Sequence, residues 1–182
     1  SDENTSPDEI VPVIEEELND QEPSPQETVV EDSNPWSAGE SNKLEFKSTL
    51  RISLHTDKPD PRMEMACLKT IAAFLNTNGG TLVIGMDDDA NPIGVEADKF
   101  KSEDNMSIHL VNIVKERMGP LAMTCIDFQF EDCKDKRIMV VKCEKSSRPI
   151  FCKDKDMELF FVRTGPSTTK LSASETQDYI RQ

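Results

Sequence analysis

The pattern of apolar and polar positions changes character near residue 40. Before it, short apolar patches such as Ile10-Val11-Pro12-Val13-Ile14 sit among acids and prolines, a mixture that cannot bury enough surface to offset chain entropy. After it, Leu44-Glu45-Phe46-Lys47 alternates apolar and charged, as a half-buried strand does. A proline-marked loop covers Asp57 to Arg62. Met65, Leu68, Ile71, Ala72 and Leu75 then recur at helical spacing, which predicts a helix of about four turns ending near Asn76. Asn78-Gly79-Gly80 stops it, and Thr81 to Met86 is a continuous apolar run of the kind found in a central strand.

Further along, Asp87 to Asn91 reads as a turn and Ile93-Gly94-Val95 as a short strand. A second amphipathic helix is predicted over Glu103 to Met118, with Ile108, Val111, Ile113 and Val114 facing inward. Cys125 to Phe130 and Ile138 to Cys143 form a strand pair around the turn at 131–137. Pro149 to Cys152 and Leu159 to Arg163 are shorter strands, and a last helix starts after Ser172. One strand–helix–strand unit followed by mostly antiparallel pairing gives an α+β domain: a mixed sheet with helices packed on it, over residues 40–182.

Charge reinforces the boundary. Of the 35 acidic residues, twelve fall in residues 1–39, which contain five prolines and no Lys or Arg. That segment reads as a disordered acidic tether leading from a further domain upstream, with Ile10 to Leu18 as a stretch that could fold on a partner. The remaining 23 acids meet 21 bases, so the net charge of −14 says little about the domain. Its bases are free to cluster. Five cysteines without a Cys-x-x-Cys pair fit a reducing, cytoplasmic setting. The acidic start is unlike a signal peptide, and no apolar run approaches the ~18–20 residues that span a bilayer, so no membrane partner is expected.

Several chemistries are excluded. There is no GxxxxGK[ST] phosphate loop and no Gly-x-Ser-x-Gly elbow, and His55 and His109 stand far apart. Three stretches carry what is left. Glu45 and Lys47 share one strand face, and Glu40 joins them if Ser41-Asn42 turns. Carboxylates so placed hold a divalent metal beside a lysine that offsets phosphate charge, although the same spacing fits a surface ion pair. The second stretch runs through Asn76, Gly79, Gly80 and Gly85 into three aspartates, Asp87 to Asp89. The glycines make a structural turn with Asn76 as a cap, and like charges so close need a turn to spread them or a cation to gather them. The third, Phe161 to Lys170, offers Arg163, Ser167, Thr168 and Lys170 in a loop suited to phosphate oxygens, or to an ordinary polar connection.

Taken together and in this order, Leu44 to Lys47, Ile71 to Asp88, Ile93-Gly94 and Phe161 to Gly165 with Ser167-Thr168 resemble the AlbA-like domain of Schlafen proteins and many bacterial regulators. The resemblance spans about Glu40 to Tyr179. It implies a nucleic-acid-binding module, for RNA or DNA. Animal Schlafens with ribonuclease activity cut transfer and ribosomal RNA with Mg²⁺ or Mn²⁺ held by two glutamates and an aspartate. Their spacing implies Glu40, Glu45 and Asp88 as the metal ligands and catalytic acids here, with Lys47 beside them and Arg163 and Lys170 on the backbone. The zinc site of those proteins is not matched: Met123 stands where a zinc ligand would precede Cys125, and the later segment reads Arg148-Pro149-Ile150-Phe151. No structural zinc is expected. Those enzymes pair two lobes, so this single lobe would form a homodimer to surround a duplex. Three functions stay open: a metal-dependent endoribonuclease, a non-catalytic binding and regulatory module, and a nucleotide sensor built on the Gly79-Gly80 turn.

Overall fold

The structure is a computed structural model that describes residues 34–182. Residues 1–33, most of the expected tether with its Ile10 to Leu18 stretch, lie outside the described residues. The fold starts before the expected boundary at residue 40. Asn34 Nδ2 donates to the Ala90 carbonyl at 2.7 Å, and Trp36 packs on a buried cluster that includes Phe46, Val83, Met86 and Val140.

In chain order the elements are strands β1 (Leu44–Lys47), β2 (Ile52–Ser53) and β3 (Lys58–Pro59), helix α1 (Pro61–Asn76), strand β4 (Gly80–Ile84), helix α2 (Glu103–Met118), strands β5 (Ile126–Cys133), β6 (Lys136–Cys143), β7 (Phe151–Asp154), β8 (Met157–Thr164) and β9 (Ser167–Leu171), and helix α3 (Ala173–Ile180). The main sheet has the order β1-β4-β6-β5, with β1 parallel to β4 across α1 and the other pairs antiparallel. A hairpin β2-β3 and a three-stranded sheet β7-β8-β9 complete the fold. This is the expected α+β architecture, and among the described residues no helix is long and apolar enough to cross a membrane.

Local chemistry sets the helix starts. Asp60 accepts from the Arg62 N–H at 2.9 Å with Pro61 at the first helical position. Ser102 accepts from Asn105 N–H, and Ser172 and Glu175 form a reciprocal capping box. One core lies between the main sheet and the two long helices. Leu68, Ile71 and Leu75 of α1 meet Leu82, Ile84, Met139 and Val141 of the sheet and Leu110 and Val114 of α2. Cys152 and Phe161 bring the third sheet into the same core. Burial pushes the Cys67 and Cys143 thiols up to about 12 and that of Cys152 to about 11, so they behave as apolar packing groups.

Three expectations are corrected. Ile93 to Val95 is not a strand: the Gly85 carbonyl accepts from Ile93 and Gly94 N–H, and a 3-10 turn, Val95–Asp98, follows. Ile108 is exposed, because the buried face of α2 runs through Met106, Leu110, Ile113 and Val114, about half a turn away. The polar segment after Arg163 is a hairpin rather than a loop, turning at Gly165-Pro166 between Thr164 and Ser167. Gly165 takes φ +58° while proline fixes its own φ near −65°, the combination of a type II′ turn.

Candidate nucleic-acid interface

Strand parity builds the site. β1 is an edge strand paired to β4 in the register Phe46↔Val83 and Lys47↔Ile84. Leu44 and Phe46 therefore face the Trp36 side, while Glu45 and Lys47 face the α1 side. There they meet the β8-β9 hairpin, whose register pairs Arg163 with Thr168 and Phe161 with Lys170. Phe161, Arg163, Thr168 and Lys170 thus share one face, turned toward Glu45 and Lys47. Ser167 has the opposite parity, and it does not line the hollow that these residues form.

Arg163 is not a surface cation. Its side chain is 2% exposed, and its Nη2 donates to Glu45 Oε2 at 2.7 Å and to the Ser41 carbonyl at 2.9 Å. Nη1 donates to Thr168 Oγ1, the guanidinium carbon lies 5.0 Å from the centre of the Phe74 ring, and Nε has no hydrogen-bond partner among the described residues. A buried cation needs a counter-charge, and Glu45 supplies it. The other Glu45 oxygen accepts from Lys47 Nζ at 2.6 Å. Glu45 is thereby shared between an internal arginine and a half-exposed lysine. The sequence reading expects Arg163 on the nucleic-acid backbone; in the structure its guanidinium is buried against Glu45, Thr168 and the Ser41 carbonyl.

Lys47 lines two adjoining hollows. The larger, about 470 Å³, is bounded by Glu45, Lys47, Lys69, Thr168, Lys170 and Phe161, among others. Lys69 is a residue that sequence reasoning missed. Within the buried stretch of α1 from Met65 to Asn76, only Ala66 and Lys69 are half-open, three residues apart on one face. A small residue followed by a lone lysine at that spacing was the available signal. Lys69 Nζ sits 5.8 Å from the centre of the Phe161 ring, over its face. The smaller hollow, about 280 Å³, is lined by Phe46, Lys47, Ser48, Thr49, Leu54, Met63, Ala66 and Asp88.

The acidic trio does not assemble as a metal site. Glu40 follows the expected turn, with Ser41 and Leu44 exchanging backbone hydrogen bonds, but its Oε1 accepts from the Phe46 N–H at 2.9 Å and caps the open edge of β1. Both Glu45 oxygens have cationic partners. Among the described residues no three His, Cys, Asp or Glu side chains gather closely enough to hold a metal. The aspartate run has its own explanation. Asp87 Oδ1 accepts from Asp89 and Asn91 N–H, and Oδ2 from the Asn91 amide. Those donors, the Asn91 N–H foremost, hold the Asp87 carboxyl below its usual range. The turn spreads the three charges and leaves Asp88 exposed at the rim of the smaller hollow.

Asn76 does not cap its own helix. Its amide donates to the Ile150 and Phe161 carbonyls at 2.8 and 2.9 Å and accepts from Ile150 N–H, while its own carbonyl accepts from the Tyr179 hydroxyl. It joins α1 to the third sheet and α3. The Gly79-Gly80 turn is closed: Gly79 holds φ +71° with its N–H on the Phe74 carbonyl, and a Cβ on Gly80 would fall 2.5 Å from the Phe74 ring.

Comparison with known proteins agrees with this frame. The family model described as Schlafen, AlbA_2 matches residues 40–172. A crystal structure of the DIP2311 protein from Corynebacterium diphtheriae superposes with a TM-score of 0.53 at 19% identity, over 77% of this chain and 27% of that one. The chain therefore spans about a quarter of that protein, and the likeness is one of fold. The solution structure of the N-terminal domain of an ATP-dependent DNA helicase RecG-related protein from Nitrosomonas europaea gives 0.46 at 19% identity, over 71% of this chain and 82% of that one. No curated protein matches. With the family model covering residues 40–172, which include every strand of the fold, the chain belongs to the Schlafen AlbA_2 family.

Proposed function

We propose that this domain binds nucleic acid by its phosphate backbone, across the groove lined by Lys47, Lys69 and Lys170. The observation that carries this reading is convergence: three lysines from β1, α1 and β9 border one hollow, and the acid among them, Glu45, is already neutralised by Arg163. Asp154 is the other acid on the lining. The groove thus offers net positive charge within a nearly neutral domain, and membership of the Schlafen AlbA_2 family supports nucleic acid as the partner. Thr168 adds a hydroxyl beside it. The contacts lie on backbone phosphates, so the binding reads RNA and DNA alike and is strongly salt-dependent.

Binding without cutting is the function these residues fit. Metal-dependent cleavage of transfer- or ribosomal-RNA-like substrates is a second reading, favoured by one observation: Lys47 borders both the hollow of Glu45 and that of Asp88. The separated carboxylates do not make a three-acid cradle for Mg²⁺ or Mn²⁺, and no step is assigned to such an ion.

Fluorescence anisotropy against a labelled oligonucleotide over a range of salt concentrations tests the proposal. Changing Lys47, Lys69 and Lys170 together to Ala should lower the slope of log K against log salt by about 3, near one per phosphate contact. An unchanged slope would place the interface elsewhere. Incubation with transfer RNA in Mn²⁺ or EDTA tests the second reading: metal-dependent cuts lost in Asp88→Ala would establish it, and intact RNA in both would dismiss it.

A further inference from the structure

The phosphate reading uses the larger hollow and leaves the smaller one without a role. The smaller hollow has a rigid wall. Asp98, fully buried, accepts from three consecutive backbone N–H groups, those of Leu50, Arg51 and Ile52, at 2.7 to 3.1 Å. It thereby fixes the start of the β2-β3 hairpin. Lys99 pins the tip of that hairpin through the Asp57 carbonyl and carboxylate. On this braced tip Leu54 is 51% exposed, facing Met63 and Ala66 of α1 across the hollow. Leu54 and Met157 are two of the five large apolar side chains exposed among the described residues, and each lines one of the two hollows that Lys47 joins. An apolar wall beside a phosphate-binding lysine does nothing for a stacked duplex. It suits a base that has left the stack.

We propose that the hollow between Leu54, Met63 and Asp88 receives one unstacked base of a single-stranded nucleic acid, whose backbone passes over Lys47 toward Lys69 and Lys170. This rests on the phosphate-binding reading and adds the substrate class. The hollow, at about 280 Å³, lies just under the ~300–1,000 Å³ of pockets for drug-sized ligands, a size for one ring system. Charge complementarity sets the orientation: Lys47 takes the phosphate at the junction, and the exposed Asp88 carboxylate stands at the rim for the base edge. An ionised carboxylate only accepts hydrogen bonds. Guanine offers it two adjacent N–H donors, and adenine and cytosine each offer an amino group. Uracil and thymine present one N–H between two carbonyl oxygens that repel it. The site therefore favours guanine, then adenine and cytosine, over uracil and thymine.

The test uses labelled ten-residue uridine strands in which one central position is guanine, adenine, cytosine, uracil or abasic, with binding followed by anisotropy. The guanine strand should bind the unaltered protein about tenfold more tightly than the all-uracil strand, in line with one good paired contact, and the abasic strand should bind no more tightly than uracil. Asp88→Asn should bring the guanine strand down to the uracil strand. Leu54→Ala should weaken all five strands, the guanine strand most. Both side chains are solvent-exposed, so neither change threatens the fold. If all five strands bind equally and still lose affinity on Lys47→Ala, the base hollow is wrong and the phosphate groove stands. If no strand binds, both readings fall.

Discussion

Arg163 and Lys170 stand on the same face of one hairpin, β8-β9, and their environments could hardly differ more. Arg163, paired across the hairpin with Thr168, is closed in by Glu45, the Ser41 carbonyl and the Phe74 ring. Lys170, paired with Phe161, is exposed at the border of the larger hollow. The difference follows from position along the strands: one lies under the β1 edge and the other beyond it. A cation's sequence context marks it as a phosphate ligand, but burial decides whether it touches phosphate or holds the residues that do. Here the buried one shares Glu45 with Lys47, so that one carboxylate sits between an internal cation and one at the edge of the groove.

The largest effect should come from breaking the buried pair. Arg163→Ala or Glu45→Ala each leaves its partner charged and uncompensated, and urea denaturation should show a loss of about 3–5 kcal/mol. Arg163→Lys should not restore it, since one ammonium cannot reach Thr168, Ser41 and Glu45 together. A loss under about 1 kcal/mol for Arg163→Ala would return Arg163 to the surface and erase the contrast with Lys170. An intermediate effect is expected for Lys170→Ala: stability within about 0.5 kcal/mol of the parent, with oligonucleotide affinity reduced similarly for all sequences, as befits a phosphate contact. The smallest should be Ser167→Ala, which has the wrong parity to reach the groove and should leave both binding and melting unchanged. Weakened binding in that variant would shift the interface to the hairpin turn.

Much of this architecture was legible because its signals are local. α1 and α2 announce themselves by apolar spacing and α3 by its cap Ser172, although the start of α1 at Asp60-Pro61 reads as loop and Ile108 of α2 as inward. Glu45 and Lys47 could be placed on one face from strand parity alone. What escaped depends on distance or on disguise. Arg163 is paired with a carboxylate 118 positions away, which no local pattern reveals. β9 is a polar strand, Ser-Thr-Thr-Lys, and after Gly-Pro it reads as a loop. Lys69 looks like an ordinary solvated lysine until the rest of its helix turn is buried. Glu40 was placed correctly at its turn, but its carboxylate is committed to the Phe46 N–H, a bond set by which side of β1 is left open.

The central claim is that nucleic acid meets the α1 side of β1, at Lys47, Lys69 and Lys170, while Arg163 stays inside. Following backbone amide shifts in ¹⁵N-labelled protein during titration with a single-stranded oligonucleotide tests it most directly. The account predicts that the shifted amides cluster at Lys47, Ala66, Lys69, Thr168 and Lys170, with β5 residues Asp127 to Asp132 unmoved at the far edge of the sheet. Shifts concentrated on β5 or on α2, with the lysine groove silent, would contradict it.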